Sequence, residues 1–221
     1  VEPVLFDWDD ETTWGAALNG ADGVYLVKPS SEDVTEVVGR FLSAMEAAGT
    51  GRLVFLSECG TQSRPDEIAE RRVERLVEAS ALKWTILRPS WYMEDIVDEY
   101  FCGPTVRNER RIVMTTGGSA IAWIDGRDIA GVAAELLVSG GSVGQALDLT
   151  GPEALTLAQL ADRIAEAAGH PVQGVEESIL AAERRMRKEG LGEEFIAYMT
   201  RIGQSIIAGH TATVTGEVER V

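Results

Sequence analysis

Residues 82–95, LKWTILRPSWYMED, decide the reading of the whole chain. Leu82 to Leu87 reads as a buried strand that stops at a proline, and the residues after Ser90 read as the start of an aromatic-rich helix. In an open α/β sheet the ligand crevice lies outside the carboxyl ends of the strands, so Arg88, Pro89, Ser90, Trp91 and Tyr92 are expected to face it. The plainer reading of the same residues is a buried strand and a core helix with no ligand. Periodicity alone does not separate the two.

Upstream, strands and helices alternate. Gly23 to Val27 reads as a strand whose unbroken Val-Tyr-Leu-Val run suits burial on both faces. Ser30, with Asp33 as its box partner, is placed to cap a helix carrying Val34, Val37, Val38, Phe41, Leu42 and Met45 on one face. Gly49 and Gly51 end that helix, Arg52 to Ser57 follows as a strand, and Asp66 to Ala79 as a helix. Val1 to Phe6 is expected to be an edge strand leading into the acidic loop Asp7-Trp8-Asp9-Asp10, with a helix over residues 11–19. This alternation calls for right-handed crossovers and an α/β, doubly wound parallel sheet.

Downstream the pattern loosens. Gly103-Pro104 is a break, so the expected division is a core over residues 1–103 and a smaller lobe over 104–221, with 120–150 packing back on the core. Ile112 to Met114, Ala120 to Ile124 and Gln145 to Leu149 read as short strands. Asp125, with Asp128, is expected to cap a helix through Val138, and Thr156 with Gln159 another ending at Gly169. Pro171 to Val175 is strand-like. Helices are expected over about 178–189 and 193–208.

The bulk numbers exclude several classes. A formal charge of -16, from 36 acidic against 20 basic residues, repels a phosphate backbone, so no nucleic-acid partner is expected. The one local basic cluster, Arg184, Arg185, Arg187 and Lys188, lies between Glu183 and Glu189 and reads as a solvated helix face. No run of 18 apolar residues and no signal-peptide pattern appears, so no membrane partner is expected and the cytoplasm is the expected location. Only Cys59 and Cys102 are present. They suit neither a disulfide framework nor a metal site, and both are expected to be unreactive thiols. His170 and His210, each placed at a helix end, are not expected to act as a catalytic pair.

The order of these elements, together with FDWDDETTW and the following ALNGADGVYLVKP, then RLVFLSECG, then WTILRPSWYMED, then AWIDGRDIAGVAAELL leading to LDLTGPEALTLAQLADRI, resembles the NmrA-like branch of the atypical short-chain dehydrogenases/reductases. The FDWDD…TW form looks most like the subgroup that includes the ergot-alkaloid reductases. The resemblance implies a Rossmann-like fold with a smaller, mostly helical substrate lobe, NADP or NAD as cofactor, and a small-molecule substrate. A homodimer is its expected assembly. By position it implies that Asp7 lies near the adenine and Pro29 near the ribose and nicotinamide side. Ser57 then stands at the next strand end, and Pro89 and Ser90 beside the nicotinamide. Trp91, Tyr92 and Met93 are then expected to touch substrate, with Tyr92 as the catalytic hydroxyl. Strand termination is the alternative reading of Pro29 and Pro89, and core packing that of Trp91 and Tyr92.

Two departures from the family pattern stand out. No tyrosine is followed four residues later by lysine, so the superfamily's usual proton donor is absent; the corresponding helix offers Glu70 and Glu74, expected to be solvated. No G-x-x-G-x-x-G occurs either, and that turn is what holds a dinucleotide's pyrophosphate. In the family order, Val1 to Phe6 and Gly23 to Val27 would stand roughly 14 Å apart with nothing between them. The expectation is that the natural protein has an N-terminal segment missing here, and the cofactor depends on it. A reduced sheet in which these two strands pair directly would also close the gap, as would strands donated by a second chain.

Three functions follow: an NAD(P)-dependent reductase of an iminium, enone or quinone, a non-catalytic NAD(P) sensor, and a relative that has lost the nucleotide site and uses the crevice for another reaction.

Overall fold

The computed structural model of the chain describes residues 2–29, 34–99 and 101–221. In chain order the elements are a 3-10 turn at Glu11–Thr13, α1 (Trp14–Leu18), β1 (Gly23–Val27), α2 (Thr35–Ala48), β2 (Arg52–Leu56), α3 (Ala69–Ala79) and β3 (Lys83–Pro89). There follow α4 (Gly103–Glu109), β4 (Arg111–Met114), α5 (Gly126–Ser139), β5 (Gln145–Leu149), α6 (Leu157–Ala168), β6 (Gln173–Glu176), α7 (Ile179–Lys188), α8 (Glu193–Ile207) and α9 (Glu217–Arg220). The chain divides into two compact units: residues 1–88 with 130–148 and 221, and residues 89–129 with 149–220. The division falls between Arg88 and Pro89, at the end of β3, and not after residue 103 as the Gly103-Pro104 break suggested.

The first unit is built on a four-stranded sheet in the order β1-β2-β3-β5. β1, β2 and β3 run parallel, and Val27, Leu56 and Leu87 stand level with one another across them. Leu53, Val54, Phe55, Ile86 and Leu87 are buried, which is why β2 and β3 read as continuous apolar runs, whereas β1 lies at the sheet edge with Tyr25 and Val27 exposed, which corrects its expected burial on both faces. Val38, Phe41, Leu42 and Met45 of α2 are buried in the same core as Val73 and Val77 of α3. Gly49, at φ 77°, closes α2 in the left-handed region that favours glycine.

Glu2 to Phe6 is not a strand, which corrects the expected edge strand. Phe6 instead packs edge-to-face on Phe41 of α2 at 5.4 Å and on Trp8 at 5.1 Å, and Pro3 has no N–H to give a ladder. β1 is therefore the sheet's first strand, and neither the wide gap nor a direct pairing of those two segments arises. The expected Ser30 and Asp33 cap lies outside the described residues.

In the second unit β4 and β6 form a two-stranded parallel sheet, with Arg111 opposite Gln173 and Met114 opposite Glu176. Ile112, Ile121, Trp123, Leu157, Leu160 and Ile206 share its core. α6 carries the predicted capping box: Thr156 accepts from the Gln159 backbone and Gln159 reaches back to the Thr156 backbone. Three other local expectations are corrected. Trp91 does not begin an α-helix, because Ile124 N donates to Trp91 O and Met93 N to Ile124 O at 2.9 and 2.8 Å. That ladder keeps the segment extended, and only a 3-10 turn at Met93–Ile96 follows. Ala120 to Ile124 makes isolated bridges from Ile121 to Leu155 and from Ile124 to Tyr92, not a strand. At the start of α5, Asp125 Oδ1 accepts from Arg127 N at 2.8 Å, and the Glu94 carboxylate, not Asp128, accepts from Gly126 N at 3.0 Å. Asp125 thus caps α5 as expected, while the second carboxylate at this helix start is Glu94 of the Met93–Ile96 turn and not Asp128.

Candidate active site

In the first unit, the level ends of β1, β2 and β3 bring the residues after Val27, Leu56 and Leu87 to one edge of the sheet. Behind that edge lies a buried ion network. Glu74 of α3 is fully buried and accepts Arg88 Nε and Nη2, both at 2.8 Å, Ser57 Oγ at 2.6 Å and Arg71 Nη1 at 2.5 Å. Arg71 also reaches Glu78 at 3.0 Å. Burial pushes the Glu74 carboxyl up, but the hydrogen bonds from Arg88 and Ser57 and the charge of Arg88 outweigh it and hold Glu74 below the ordinary glutamate value. The expectation of a solvated Glu74 is thereby corrected. Its spacing from Glu70 put it on a shared face, and only the tertiary position of Arg88 made that face an interior one.

The predicted cofactor residues of this unit are differently placed. Ser57 is held twice, by its hydroxyl on Glu74 and by its backbone N on Leu87 O at 2.7 Å. Pro29 is half-buried after β1. Asp7 is exposed and organises its own turn: Oδ1 accepts from Asp9 N at 2.9 Å, and its carbonyl from Trp14 Nε1 at 2.8 Å. Nothing among these contacts joins Asp7 to Ser57. Burial and the charge of Asp148 push the Cys59 thiol up to about 11, in keeping with an unreactive cysteine.

In the second unit, Pro89 and Ser90 are buried, and Ser90 N donates to Leu149 O at 2.9 Å. Ser90 Oγ is also buried and has no hydrogen-bond partner among the described residues. A buried hydroxyl without a partner is costly, so such a group points to a ligand or a bound water. Trp91 and Tyr92 are half-buried and Met93 is 39% exposed. The ring of Trp91 lies 5.9 Å from that of Trp123.

Trp91 also lines a cleft of about 700 Å³ that lies wholly in this unit. Its apolar walls come from Phe101 and Cys102, Met114 of β4, Met186 of α7, and Phe195 and Met199 of α8. Tyr92 and Met93, predicted to touch substrate, do not line it. The α7 and α8 contribution was missed in the sequence because the i, i+3, i+4 pattern of Phe195, Ile196 and Met199 reads equally well as plain core. Of that face Ile196 is core, whereas Phe195 remains 40% exposed.

Beside the cleft, Asp95 lies against the Trp91 indole. Burial pushes its carboxyl up to about 6, and the charges of Asp98 and Glu94 add to it. The Cys102 thiol is pushed up to about 11, first by burial and then by the Asp95 charge. For a carboxyl raised in the folded state, stability is greatest below the unfolded value and is lost as pH rises from about 4 through about 6. Asp95→Asn keeps the shape of the side chain and removes the charge. It is expected to stabilise the protein above pH 6 by about 1 kcal/mol after discounting for partial exposure, or roughly 2–4 °C in Tm. Thermal melts of both proteins across pH should converge near pH 4; a constant difference at all pH values would contradict the assignment.

Among the described residues no group of three or more His, Cys, Asp or Glu is placed to hold a metal ion, and no helix is long and apolar enough to cross a membrane.

A family model described as NAD(P)H-binding matches residues 1–139. The chain is 28% identical over 226 residues to the NAD(P)H azoreductase of Xenophilus azovorans, covering all of this chain and 77% of that protein. It is likewise 28% identical to the festuclavine dehydrogenase of Aspergillus fumigatus over 230 residues, with 98% and 77% covered. Among solved structures, the NADPH-dependent quinone oxidoreductase of Escherichia coli, crystallised with NADPH, superimposes with a TM-score of 0.84 at 22% identity, covering 97% of this chain and 76% of that one. That likeness identifies the fold as Rossmann-like.

Proposed function

Because the chain belongs to the NAD(P)H-binding family, we propose that it is an NAD(P)-dependent reductase of the NmrA-like type, acting on a small organic acceptor of the iminium, enone or quinone class. The observation that carries the reading is Ser90: a buried hydroxyl without a partner among the described residues, set just beyond the end of β3 and next to the aromatic wall of a cleft. The sequence contains no G-x-x-G-x-x-G turn, so the fit is tested on the nicotinamide side alone. There Pro89 and Ser90 suit a flat polar ring: the proline has no N–H to satisfy and the serine has a donor and an acceptor to offer. In the first unit, Asp7, Pro29 and Ser57 are proposed for the nucleotide side.

When bound, the reduced nicotinamide supplies the hydride. Ser90 would orient the ring through its hydroxyl while its backbone N, tied to Leu149 O, keeps the segment fixed. Trp91 and Met93 would exclude water from the acceptor, and the Tyr92 hydroxyl would place a proton on the acceptor's heteroatom. An iminium carbon becomes an amine on hydride addition and needs no proton in that step; an enone or quinone does. Tyr92→Phe is therefore expected to lower kcat for quinones and enones by about 100-fold and to leave iminium reduction nearly unchanged. Equal losses on both classes would remove Tyr92 from the proton step.

The decisive experiment is steady loss of reduced-nicotinamide absorbance in the presence of an acceptor, with NADPH and NADH compared. Failure of a full-length preparation to bind either nucleotide would overturn the proposal. The cytoplasm is the proposed location, and the formal charge of -16 argues against a nucleic-acid partner.

A further inference from the structure

Ser57 stands just beyond β2, at the level strand ends of the first unit, and is half-buried there. Its hydroxyl donates to Glu74 Oε1 at 2.6 Å and has no other hydrogen-bond partner among the described residues. Glu74 Oε1 also accepts Arg88 Nε at 2.8 Å, while Oε2 accepts Arg88 Nη2 at 2.8 Å and Arg71 Nη1 at 2.5 Å. Each carboxylate oxygen thus has both of its lone-pair sites filled by a donor. The backbone N of Ser57 is committed as well, to Leu87 O at 2.7 Å.

A serine hydroxyl has one proton and two lone pairs. Here the proton lies in a short, charge-assisted bond to a fully buried carboxylate, which has no proton to give in return. The hydrogen bonds from Arg88, Ser57 and Arg71 hold Glu74 ionised against the cost of its burial. Turning the Ser57 proton outward would leave a buried oxygen of Glu74 short of a donor. A ligand that meets the Ser57 side chain therefore finds lone pairs and no donor.

We propose that Glu74 is a positioning residue that makes Ser57 an acceptor only, so that Ser57 takes a hydrogen bond from an N–H or O–H of the nucleotide and disfavours its phosphate and carbonyl oxygens. This rests on the reductase reading for the identity of the ligand. Away from the adenine, a nicotinamide dinucleotide offers two donors of that kind, the carboxamide N–H and the ribose hydroxyls. The same commitment of its proton excludes Ser57 as the group that protonates the acceptor.

The test is nucleotide affinity, measured by calorimetry on the full-length protein with whichever of NADP+ and NAD+ binds tighter. Ser57→Ala should weaken binding by about three- to ten-fold, the loss of one neutral hydrogen bond. Glu74→Gln should weaken it by about ten-fold or more. The glutamine oxygen is best placed facing Arg88 and Arg71, where Oε2 stands, which turns the amide nitrogen toward Ser57. Ser57 then accepts from glutamine, and its own proton confronts the donor of the nucleotide. In the Ser57→Ala background Glu74→Gln should cost almost no further affinity, because no hydroxyl is left to turn. The 3-acetylpyridine analogue, with a methyl in place of the amide, identifies the donor. Weaker binding of the analogue by the wild type, abolished in Ser57→Ala, assigns the carboxamide; equal losses of both ligands in Ser57→Ala assign the ribose. Should Glu74→Gln fail to fold, the Ser57→Ala series still decides. Unchanged affinity in Ser57→Ala would overturn the inference and leave the reductase standing. So would a Glu74→Gln protein that loses stability but keeps wild-type affinity, or a Glu74 effect that persists undiminished without the Ser57 hydroxyl. A full-length preparation that binds neither nucleotide would overturn the reductase reading itself, and this inference with it.

Discussion

Glu74→Ala is expected to destabilise the protein by about 3–5 kcal/mol, because it strands the buried Arg88 and Arg71 guanidiniums without their shared carboxylate. The loss is larger than that of an ordinary surface ion pair because water cannot take the place of the missing oxygens. Replacing Glu74 and Arg88 by apolar groups of similar volume, as in Glu74→Leu with Arg88→Met, should recover part of the loss, since the Arg88 charge is then gone while Arg71 keeps Glu78 at 3.0 Å. Urea unfolding of the single and double variants checks this. A double variant no more stable than the single one would mean that the network contributes through something other than charge pairing. The pH dependence has a defined sign: Glu74 sits below its ordinary value when folded, so its contribution is present above that value and lost as pH falls through the folded one. Glu74→Gln should therefore flatten the acid limb of the stability profile. Because Ser57 also donates to Glu74, the same variant should loosen the β2 strand end and weaken nucleotide binding in the proposed reading.

Gly151→Ala carries the second large effect. A Cβ at Gly151 would stand 1.9 Å from the carbonyl oxygen of Trp123 and 3.1 Å from its carbonyl carbon. Both atoms are backbone, so no side-chain rotation relieves the contact, and the cost should reach about 3 kcal/mol or more. The residue after Trp123 is Ile124, which holds Trp91 and Met93 through two backbone hydrogen bonds. Displacing Trp123 should therefore disturb Trp91 and lower acceptor reduction as well as stability. The matched control is Gly131→Ala in α5, where a Cβ meets nothing within 4 Å. There the alanine should stabilise by about 0.5–1 kcal/mol through its higher helix propensity and the smaller freedom of the unfolded chain. Denaturant midpoints and steady-state rates of the two variants test the pair. Wild-type stability in Gly151→Ala would show that the approach of Gly151 to Trp123 is not a fixed feature of the fold.

Much of the fold was legible because its signals are local. The apolar runs of β1, β2 and β3, the periodic Val38, Phe41, Leu42 and Met45 of α2, and the Thr156 and Gln159 box each state their structure within a few residues. The misread elements failed where a distant partner decided the outcome. Glu2 to Phe6 has a strand-like pattern, yet Phe6 is drawn onto Phe41 of α2. Trp91 to Asp95 has helix-like composition, yet Ile124, about thirty residues later, gives it a ladder partner that holds it extended.

The same division holds at the candidate site. The sequence by itself determined that LKWTILRPSWYMED is a strand end followed by aromatic residues, and the resemblance it carries led to a nicotinamide reductase. Those are properties of neighbouring residues, and backbone propensity, burial pattern and proline geometry act over that range. Only the tertiary structure decided that Glu74 is an interior anion beneath Arg88, that Ser90 keeps a buried hydroxyl without a partner among the described residues, and that α7 and α8 close a cleft over Trp91. Burial, ion pairing and the walls of a cavity arise from residues far apart in the chain, and each depends on which of them the fold brings within a few ångströms.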